Sequence, residues 1–246
     1  MFITITNDFR EAGMEAGRKA ASFIRQAIAS KDEATIILAT GSSQFETLDQ
    51  LIAEEGIDWS KVTMFHLDEY IDLPISHKAS FRKYLQERFI EKVAPLKNVH
   101  LIDGEANSDQ ECQRLETLIS QSPVDVALVG IGENGHLAFN DPPADFETVS
   151  AYLVVKLDEQ CRQQQVNEGW FGSIKEVPTH AISMSVKQIM LSKHIVCTVP
   201  GIRKAKAIKN TLERPVSVYY PATILQNHPD CYLFPDKASA SLLKKR

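Results

Sequence analysis

Cysteine is scarce in this chain, and its placement is not that of a disulfide-stapled or secreted protein. The 246 residues contain four cysteines, widely spaced, with no Cys-x-x-Cys pair and no basic-then-apolar leader. His228 and Cys231 make half of a metal-binding pattern with no second pair at matching spacing, so no metal site is predicted. No apolar run approaches the roughly 20 residues of a membrane-spanning helix. We therefore expect reduced thiols and a soluble, cytoplasmic protein.

Positive charge is in deficit, with 27 lysines and arginines against 32 aspartates and glutamates and a net charge of −5. Such a chain has no long-range attraction for nucleic acid or an anionic membrane, so we expect neither as a partner. An anionic small molecule must then be held by a local cluster of donors. No repeat, linker or composition shift divides the chain, and we expect one domain over residues 1–246 with a solvated tail at 244–246.

Short apolar runs that alternate with helical patterns dominate what is present. A first helix is predicted from Phe9 to Ile28, with Asp8 as its cap. Continuous apolar runs predict strands at 35–39, 62–67, 124–129, 152–155, 195–199 and 232–234. Because these runs do not alternate with polar residues and helices separate them, we expect a doubly wound α/β fold with a mostly parallel sheet and helices on both faces. Ligands of such sheets bind beyond the carboxyl ends of the strands.

Two turns that follow predicted strands could hold an anion. Thr40-Gly41-Ser42-Ser43 opens a helix, where free N–H groups, the helix dipole and hydroxyls suit a phosphate, although the same residues could simply cap the helix. The second turn, 201–206, places Arg203 and Lys204 in a first helical turn, where cations oppose the dipole unless an anion lies between. A solvated basic helix face is the alternative for this segment.

Two further segments carry groups that could move protons. Asp68 and Glu69 are adjacent carboxylates at a strand end, which suits either a general base or an acidic turn. The segment 130–142 formally satisfies G-x-G-x-x-G, but Pro142-Pro143 ends any helix too early for a dinucleotide site. It instead presents His136, the side chain best able to exchange a proton at neutral pH, with Asp141 five residues later to orient it.

The chain resembles the glucosamine-6-phosphate deaminase/isomerase family over nearly its whole length. The resemblance rests on Leu67-Asp68-Glu69-Tyr70 with Leu73-Pro74, on the segment from Gly135 to Pro142, and on Thr40-Gly41-Ser42 in the family's order. It implies a cofactor-free enzyme that converts an amino-sugar 6-phosphate and water to a ketose 6-phosphate and ammonia. The steps would be ring opening, proton transfer from C2 to C1, and hydrolysis of the resulting imine.

The resemblance also assigns roles to residues of this chain. Asp68 matches the family's general base, and His136 matches the acid/base that opens the sugar ring. Asp141 stands where the family usually has a glutamate that orients the histidine. The phosphate would be bound by Lys204 and by the turn from Thr40 to Ser43, and two further residues are expected to contact substrate: Glu69 and Gly135.

Three features depart from the family pattern. Asn134 stands where well-known members have an aspartate that hydrogen-bonds the histidine, and an amide supplies no negative charge. Arg162 is the only arginine in the segment 161–171, where the family often has a phosphate-binding arginine. The segment 144–155 has no lysine or arginine, so we expect no allosteric activation of the kind that uses basic residues there.

Two other functions remain open at the level of sequence. One is a related phosphosugar hydrolase or isomerase of the 6-phosphogluconolactonase type, which would share the phosphate turn. The other is a non-catalytic module that senses a sugar phosphate, although such a module has no use for Asp68 and His136. The sequence does not distinguish gluco from galacto substrates, and it leaves open whether the chain forms a homo-oligomer.

Overall fold

A computed structural model describes residues 1–121 and 123–244. The last two positions of the predicted tail, 245 and 246, lie outside the described residues. Within the described part, no helix has both the length and the apolar character that crossing a membrane requires.

A seven-stranded parallel sheet forms the centre of the fold. Its strands are β1 (Phe2–Ile3), β2 (Ala34–Leu38), β3 (Val62–His66), β5 (Asn98–His100), β6 (Val126–Val129), β9 (His194–Val199) and β10 (Cys231–Pro235). They lie side by side in the order β1-β10-β9-β6-β2-β3-β5. Every residue of β2 and β6 is buried, as expected where helices cover both faces of a sheet. The prediction of a mostly parallel α/β fold is confirmed. The sequence did not predict the short edge strands β1 and β5.

Helices cover the two faces of this sheet and enclose a separate apolar core on each. The helices are α1 (Phe9–Lys31), α2 (Phe45–Ala53), α3 (Phe81–Arg88), α4 (Ser108–Ile119), α5 (Glu159–Asn167), α6 (Val186–Met190) and α7 (Ala205–Glu213). Helices α1, α2 and α3 pack on one face, and α4, α6 and α7 pack on the other. The first helix is longer than predicted, and the Asp8 side chain caps it by accepting from the N–H of Glu11 at 2.9 Å.

A second, antiparallel sheet of three strands lies beside the carboxyl end of β3, in the order β4-β8-β7. Its strands are β4 (Asp68–Tyr70), β7 (Tyr152–Lys156) and β8 (His180–Met184). The predicted strand at 152–155 therefore exists as β7, but it belongs to this sheet and not to the parallel one. Its burial alternates along the strand, which fits a sheet with one exposed face.

The chain passes from the large sheet to the small one between His66 and Asp68. The N–H of Leu67 donates to the carbonyl of Leu38 in the large sheet at 3.2 Å, and the carbonyl of Leu67 accepts from Met184 of β8 at 2.7 Å. His66 is fully buried, its Nε2 accepts from the N–H of Ile102 at 2.8 Å, and burial lowers its pKa to about 3. His66 is thus a neutral structural residue at this crossover, and Asp68 is the first residue beyond it.

Candidate active site

The carboxyl ends of β2, β3, β6 and β9 meet around a cavity of about 340 Å³. Of the twelve residues for which the family resemblance suggested a role or showed a departure, seven line it: Thr40, Gly41, Ser42, Ser43, Asp68, His136 and Lys204. Five do not line it: Glu69, Asn134, Gly135, Asp141 and Arg162. The position of the cavity is the one expected for ligand sites in doubly wound sheets.

Two glycine-led turns line the cavity, one after β2 and one after β9, the strands on either side of β6. Gly41 has φ of 92° and begins a 3-10 turn over Ser42–Gln44, and Gly201 has φ of 94° and begins another over Ile202–Lys204. We call them the 40–43 turn and the 201–204 turn. A φ in this range is strained for residues with a β-carbon, which explains glycine at both positions. Arg203 and Lys204 lie in the 201–204 turn, which precedes α7. The prediction that these two cations lie in the first turn of an α-helix was wrong.

Asp68 reaches the cavity as the first residue of β4, with 7% of its surface exposed. Burial raises the pKa of its carboxyl to about 8, and the neighbouring carboxylate of Glu69 contributes to the rise. A carboxylate with a raised pKa is a stronger base than an ordinary aspartate, so this group is suited to remove a proton from carbon.

Glu69 points the other way, because successive side chains of a strand lie on opposite faces. Its carboxylate accepts from the N–H and the Nε of Arg82 at 2.9 and 3.2 Å, and from the hydroxyl of Ser80 at 2.8 Å. Burial raises the pKa of Glu69, and these donors oppose the rise. Glu69 fixes the start of α3, and the structure does not bring it to the cavity as a substrate ligand.

His136 is held against the backbone of the turn that follows β6. A β-carbon on Gly132 would stand 2.2 Å from two atoms of the imidazole, so only glycine leaves room for the ring. Gly135 has φ of 93° and lets the chain turn back toward the cavity. Asp141 Oδ1 lies 3.0 Å from His136 Nδ1, although the ring nitrogen is not aligned for a linear hydrogen bond. The imidazole is thus placed by Gly132 on one side and by Asp141 on the other.

Asn134 acts on Asp141 and on the backbone, not on the imidazole. Its Nδ2 donates to Asp141 Oδ1 at 2.9 Å and to Asp158 Oδ2 at 3.3 Å, and its Oδ1 accepts from the N–H of His136 at 3.0 Å. Burial raises the pKa of Asp141, but its contacts with His136, Asn134 and the N–H of Asp158 outweigh burial and hold it below the ordinary value. Asp141 is therefore ionised at neutral pH.

Cys161, on α5, completes a buried cluster with His136 and Asp141. Among the described residues, these three side chains form a group whose potential metal-ligand atoms lie within 4.8 Å of one another. Burial and the charges of Asp141 and Asp158 raise the thiol pKa well above its usual value, so the sulfur carries its proton. A metal ion would have to displace that proton and take Nδ1 of the histidine. A lone cysteine gives no metal-binding pattern in the sequence, so the sequence did not point to Cys161. That the enzyme needs no metal stays a prediction.

Arg162 is turned away from the cavity. Its Nη2 donates to the carbonyls of Ile174 at 2.7 Å and Val177 at 2.9 Å, which ties α5 to the loop before β8. Other side chains of the same helix region line the cavity instead: Gln164, Gln165 and Glu168. Sequence analysis missed these three, because polar residues on a short helix look like an ordinary solvated face.

Lys204, at the end of the 201–204 turn, lines the same cavity as the 40–43 turn. Burial lowers the pKa of its ammonium group, and the carboxylates of Glu168 and Glu133 oppose this effect. A cation that burial disfavours is stabilised when an anion binds beside it, which is the behaviour expected of a phosphate-binding lysine.

Comparisons with known proteins agree with this geometry. A family model described as glucosamine-6-phosphate isomerases/6-phosphogluconolactonase matches residues 7–233. A glucosamine-6-phosphate deaminase of Listeria monocytogenes is 39% identical over 240 residues, covering 97% of this chain and 99% of that protein. One from Lactobacillus delbrueckii subsp. bulgaricus is 38% identical over 231 residues, covering 94% and 96%.

Solved structures give the same result at the level of the fold. A structure described as a monomeric glucosamine-6-phosphate deaminase superposes with a TM-score of 0.91 at 32% identity, over 99% of this chain and 100% of that one. A 6-phosphogluconolactonase from Thermotoga maritima superposes with a TM-score of 0.79 at 17% identity, over 96% and 99%, which shows a shared fold alone. The chain belongs to the family of glucosamine-6-phosphate isomerases and 6-phosphogluconolactonases.

Proposed function

We propose that this chain is a glucosamine-6-phosphate deaminase. The observation that carries the proposal is that Asp68, with its raised pKa, and His136, which Asp141 contacts from outside the cavity, line one cavity with Lys204 and the 40–43 turn. A base and an acid/base are thus combined with donors for an anion. Relatives that are 38–39% identical over nearly the full length are named as deaminases, which supports this branch of the family.

The phosphate of the substrate binds between the two turns. The N–H groups at the start of a helical turn have no partners within it and, with the hydroxyls of Ser42 and Ser43, donate to phosphate oxygens. Lys204 supplies positive charge from the 201–204 turn. This placement leaves the sugar carbons near Asp68 and His136.

His136 opens the sugar ring by taking the proton of the C1 hydroxyl and returning a proton to the ring oxygen. Asp141 stabilises the imidazolium formed in between, because it stays ionised beside Nδ1. The product of this step is an open-chain amino aldehyde with its carbonyl at C1.

Asp68 then removes the proton from C2 and delivers it to C1. The electron pair of the C2–H bond forms the C1–C2 double bond of an enolamine, while the C1 carbonyl oxygen takes a proton from the ammonium group at C2. Delivery of the proton from Asp68 to C1 then gives a protonated ketose imine at C2. Water adds to that imine, the C–N bond breaks, and ammonia leaves with fructose 6-phosphate as the other product. The ammonium group of the bound substrate lowers the pKa of Asp68 and favours its basic form when it is needed.

Ammonia release coupled to detection of fructose 6-phosphate tests the proposal, using purified protein with glucosamine 6-phosphate and EDTA. We expect equal amounts of both products, and loss of at least about a hundredfold in kcat for Asp68→Asn and His136→Gln, since general acid–base groups contribute about 10² to 10⁴. Hydrolysis of 6-phosphogluconolactone without ammonia release would assign the lactonase branch. Tight sugar-phosphate binding with no turnover would favour a sensing role.

The proposal also covers domain organisation, oligomeric state, cellular compartment and cofactors. We expect residues 1–246 to form one domain, and the parallel sheet supports this because it takes strands from near both ends of the described chain, β1 (Phe2–Ile3) and β10 (Cys231–Pro235). One structural relative is described as monomeric, and the proposed catalytic groups all come from one chain, so we expect a monomer to be active. The four cysteines are free and buried, which fits a cytoplasmic enzyme. No metal or organic cofactor takes part, and no allosteric activator is required.

A further inference from the structure

The positive charge around the cavity comes from one turn. Among the described lining residues, Arg203 and Lys204 are the two lysine or arginine side chains, and two carboxylates, Asp68 and Glu168, face the same space. A phosphate dianion held by Lys204 alone would have Glu168 near that lysine and no second cation to balance it. Arg162, which the family resemblance pointed to, donates to backbone carbonyls instead.

We propose that Arg203 is a second phosphate-binding cation of this site, held toward the cavity by Glu133. The proposal rests on the proposed function, because it names the residue that completes the phosphate site of that reaction.

Glu133 and Arg203 form an ion pair at the edge of the cavity. Arg203 Nε lies 3.4 Å from Glu133 Oε1, an oxygen that is buried and has no hydrogen-bond partner among the described residues. The Arg203 side chain is 52% exposed and lines the cavity, so a ligand in the cavity can reach it. A guanidinium presents five N–H donors in a planar fork, so it can keep Nε toward Glu133 while both Nη groups donate to one phosphate.

Glu133 is itself fixed by neighbours on the cavity wall. Its N–H donates to Gln164 Oε1 at 3.1 Å, and Gln164 Nε2 donates to Glu168 Oε1 at 2.8 Å. The next residue, Asn134, binds the N–H of His136. The guanidinium is therefore anchored to the same turn that carries the histidine.

Substitution of Arg203 tests the proposal in two assays. We expect Arg203→Ala to raise KM for glucosamine 6-phosphate by about ten- to a hundredfold with kcat changed by less than about threefold, since charge-assisted hydrogen bonds are lost from substrate and transition state alike. Arg203→Lys keeps the positive charge but not the planar guanidinium, so its KM should lie between those of the wild type and Arg203→Ala. Lys206→Ala, which removes an exposed cation that does not line the cavity, is the matched control and should leave KM unchanged.

Binding of inorganic phosphate, followed by the rise in melting temperature, separates this proposal from the proposed function. We expect the phosphate-induced rise to shrink in Arg203→Ala and to persist in Lys206→Ala, whether or not the protein releases ammonia. If Arg203→Ala and Lys206→Ala match the wild type within twofold in KM and show the same phosphate-induced rise, Arg203 is not a phosphate ligand. A wild-type protein that binds phosphate through Arg203 but releases no ammonia would contradict the deaminase reaction alone.

Discussion

The imidazole of His136 lies directly over the α-carbon of Gly132, so that a β-carbon there would stand 2.2 Å from ring atoms Cε1 and Nε2. Since Nε2 belongs to the ring edge opposite Asp141, the contact holds the nitrogen that is free to serve the substrate. Gly132 is therefore part of the proposed catalytic geometry without contributing a functional group.

Gly132→Ala should displace the imidazole and lower kcat by at least about a hundredfold, because a misplacement of about 1 Å can cost that much. KM should change little, since the phosphate site is untouched. Steady-state kinetics on folded protein, verified by circular dichroism, checks this. Gly172→Ala is the control, because its new β-carbon would meet only the end of the Glu176 side chain, at 3.2 Å. Equal kcat in the two variants would contradict the prediction.

Asp68→Asn should inactivate the enzyme and also stabilise it, increasingly so as the pH rises. The carboxyl has a pKa of about 8 in the folded chain and an ordinary, lower value when unfolded, so the folded chain binds the extra proton between those values. The contribution of Asp68 to the free energy of unfolding is therefore fully present below the pKa of the unfolded chain, and it is lost as the pH rises through about 8. Asparagine does not titrate.

Melting temperatures between pH 5 and pH 9 measure this effect. The advantage of Asp68→Asn should grow over that range to several degrees, at roughly 2–4 °C per kcal/mol for a chain of this size. Asp49→Asn, at an exposed position, should follow the wild-type curve. A constant difference between Asp68→Asn and wild type at all pH values would mean that the pKa of Asp68 is not raised.

Asn134→Asp should weaken this enzyme although well-known family members carry an aspartate at the position. Here the amide nitrogen donates to the carboxylates of Asp141 and Asp158, and an aspartate would put a third negative charge against two. We expect a lower melting temperature and at least about a tenfold lower kcat, with Asn134→Ala less affected because it adds no charge. A gain in kcat for Asn134→Asp would show that the aspartate pairs with His136 instead.

Arg162→Ala should affect stability more than substrate binding. It removes two charge-assisted bonds to the carbonyls of Ile174 and Val177, which we expect to lower the free energy of unfolding by on the order of 1–3 kcal/mol. KM should stay within about twofold of wild type. Urea denaturation and initial-rate kinetics measure both quantities. A tenfold higher KM with unchanged stability would contradict this structural role and indicate that Arg162 binds the phosphate.

The sequence predicted the parts of the site that depend on local chain order. The turn after β2, the turn after β9 and Asp68 each follow a buried strand within two residues, and His136 lies in the loop that follows β6. Parallel strands bring their carboxyl ends to one edge, where these residues line one cavity. Nothing beyond the order of strands and turns was needed to expect these residues together.

Side-chain direction was not predictable in the same way. Asp68 and Glu69 are adjacent, and only the pairing of β4 with β8 decides which of them faces the cavity. Arg162 and Gln164 are two positions apart on α5 and hence on different faces, and the rotation of that helix depends on its packing. The assignment of β7 to the small sheet likewise depends on its pairing with β8, whose residues lie at least 24 positions away in the chain.

The crossover at 66–68 places the proposed base, Asp68, in the small sheet, which holds it in position. Asp68 is paired with Ser183 of β8, and the hydroxyl of Tyr152 on β7 donates to the carbonyl of His66 at 3.0 Å. The position of the reacting carboxylate is thus set by three short strands whose outer face is partly open to solvent. Detachment of that sheet would abolish proton transfer while the seven-stranded sheet and the phosphate turns stayed folded, so loss of activity on heating should precede loss of the parallel core.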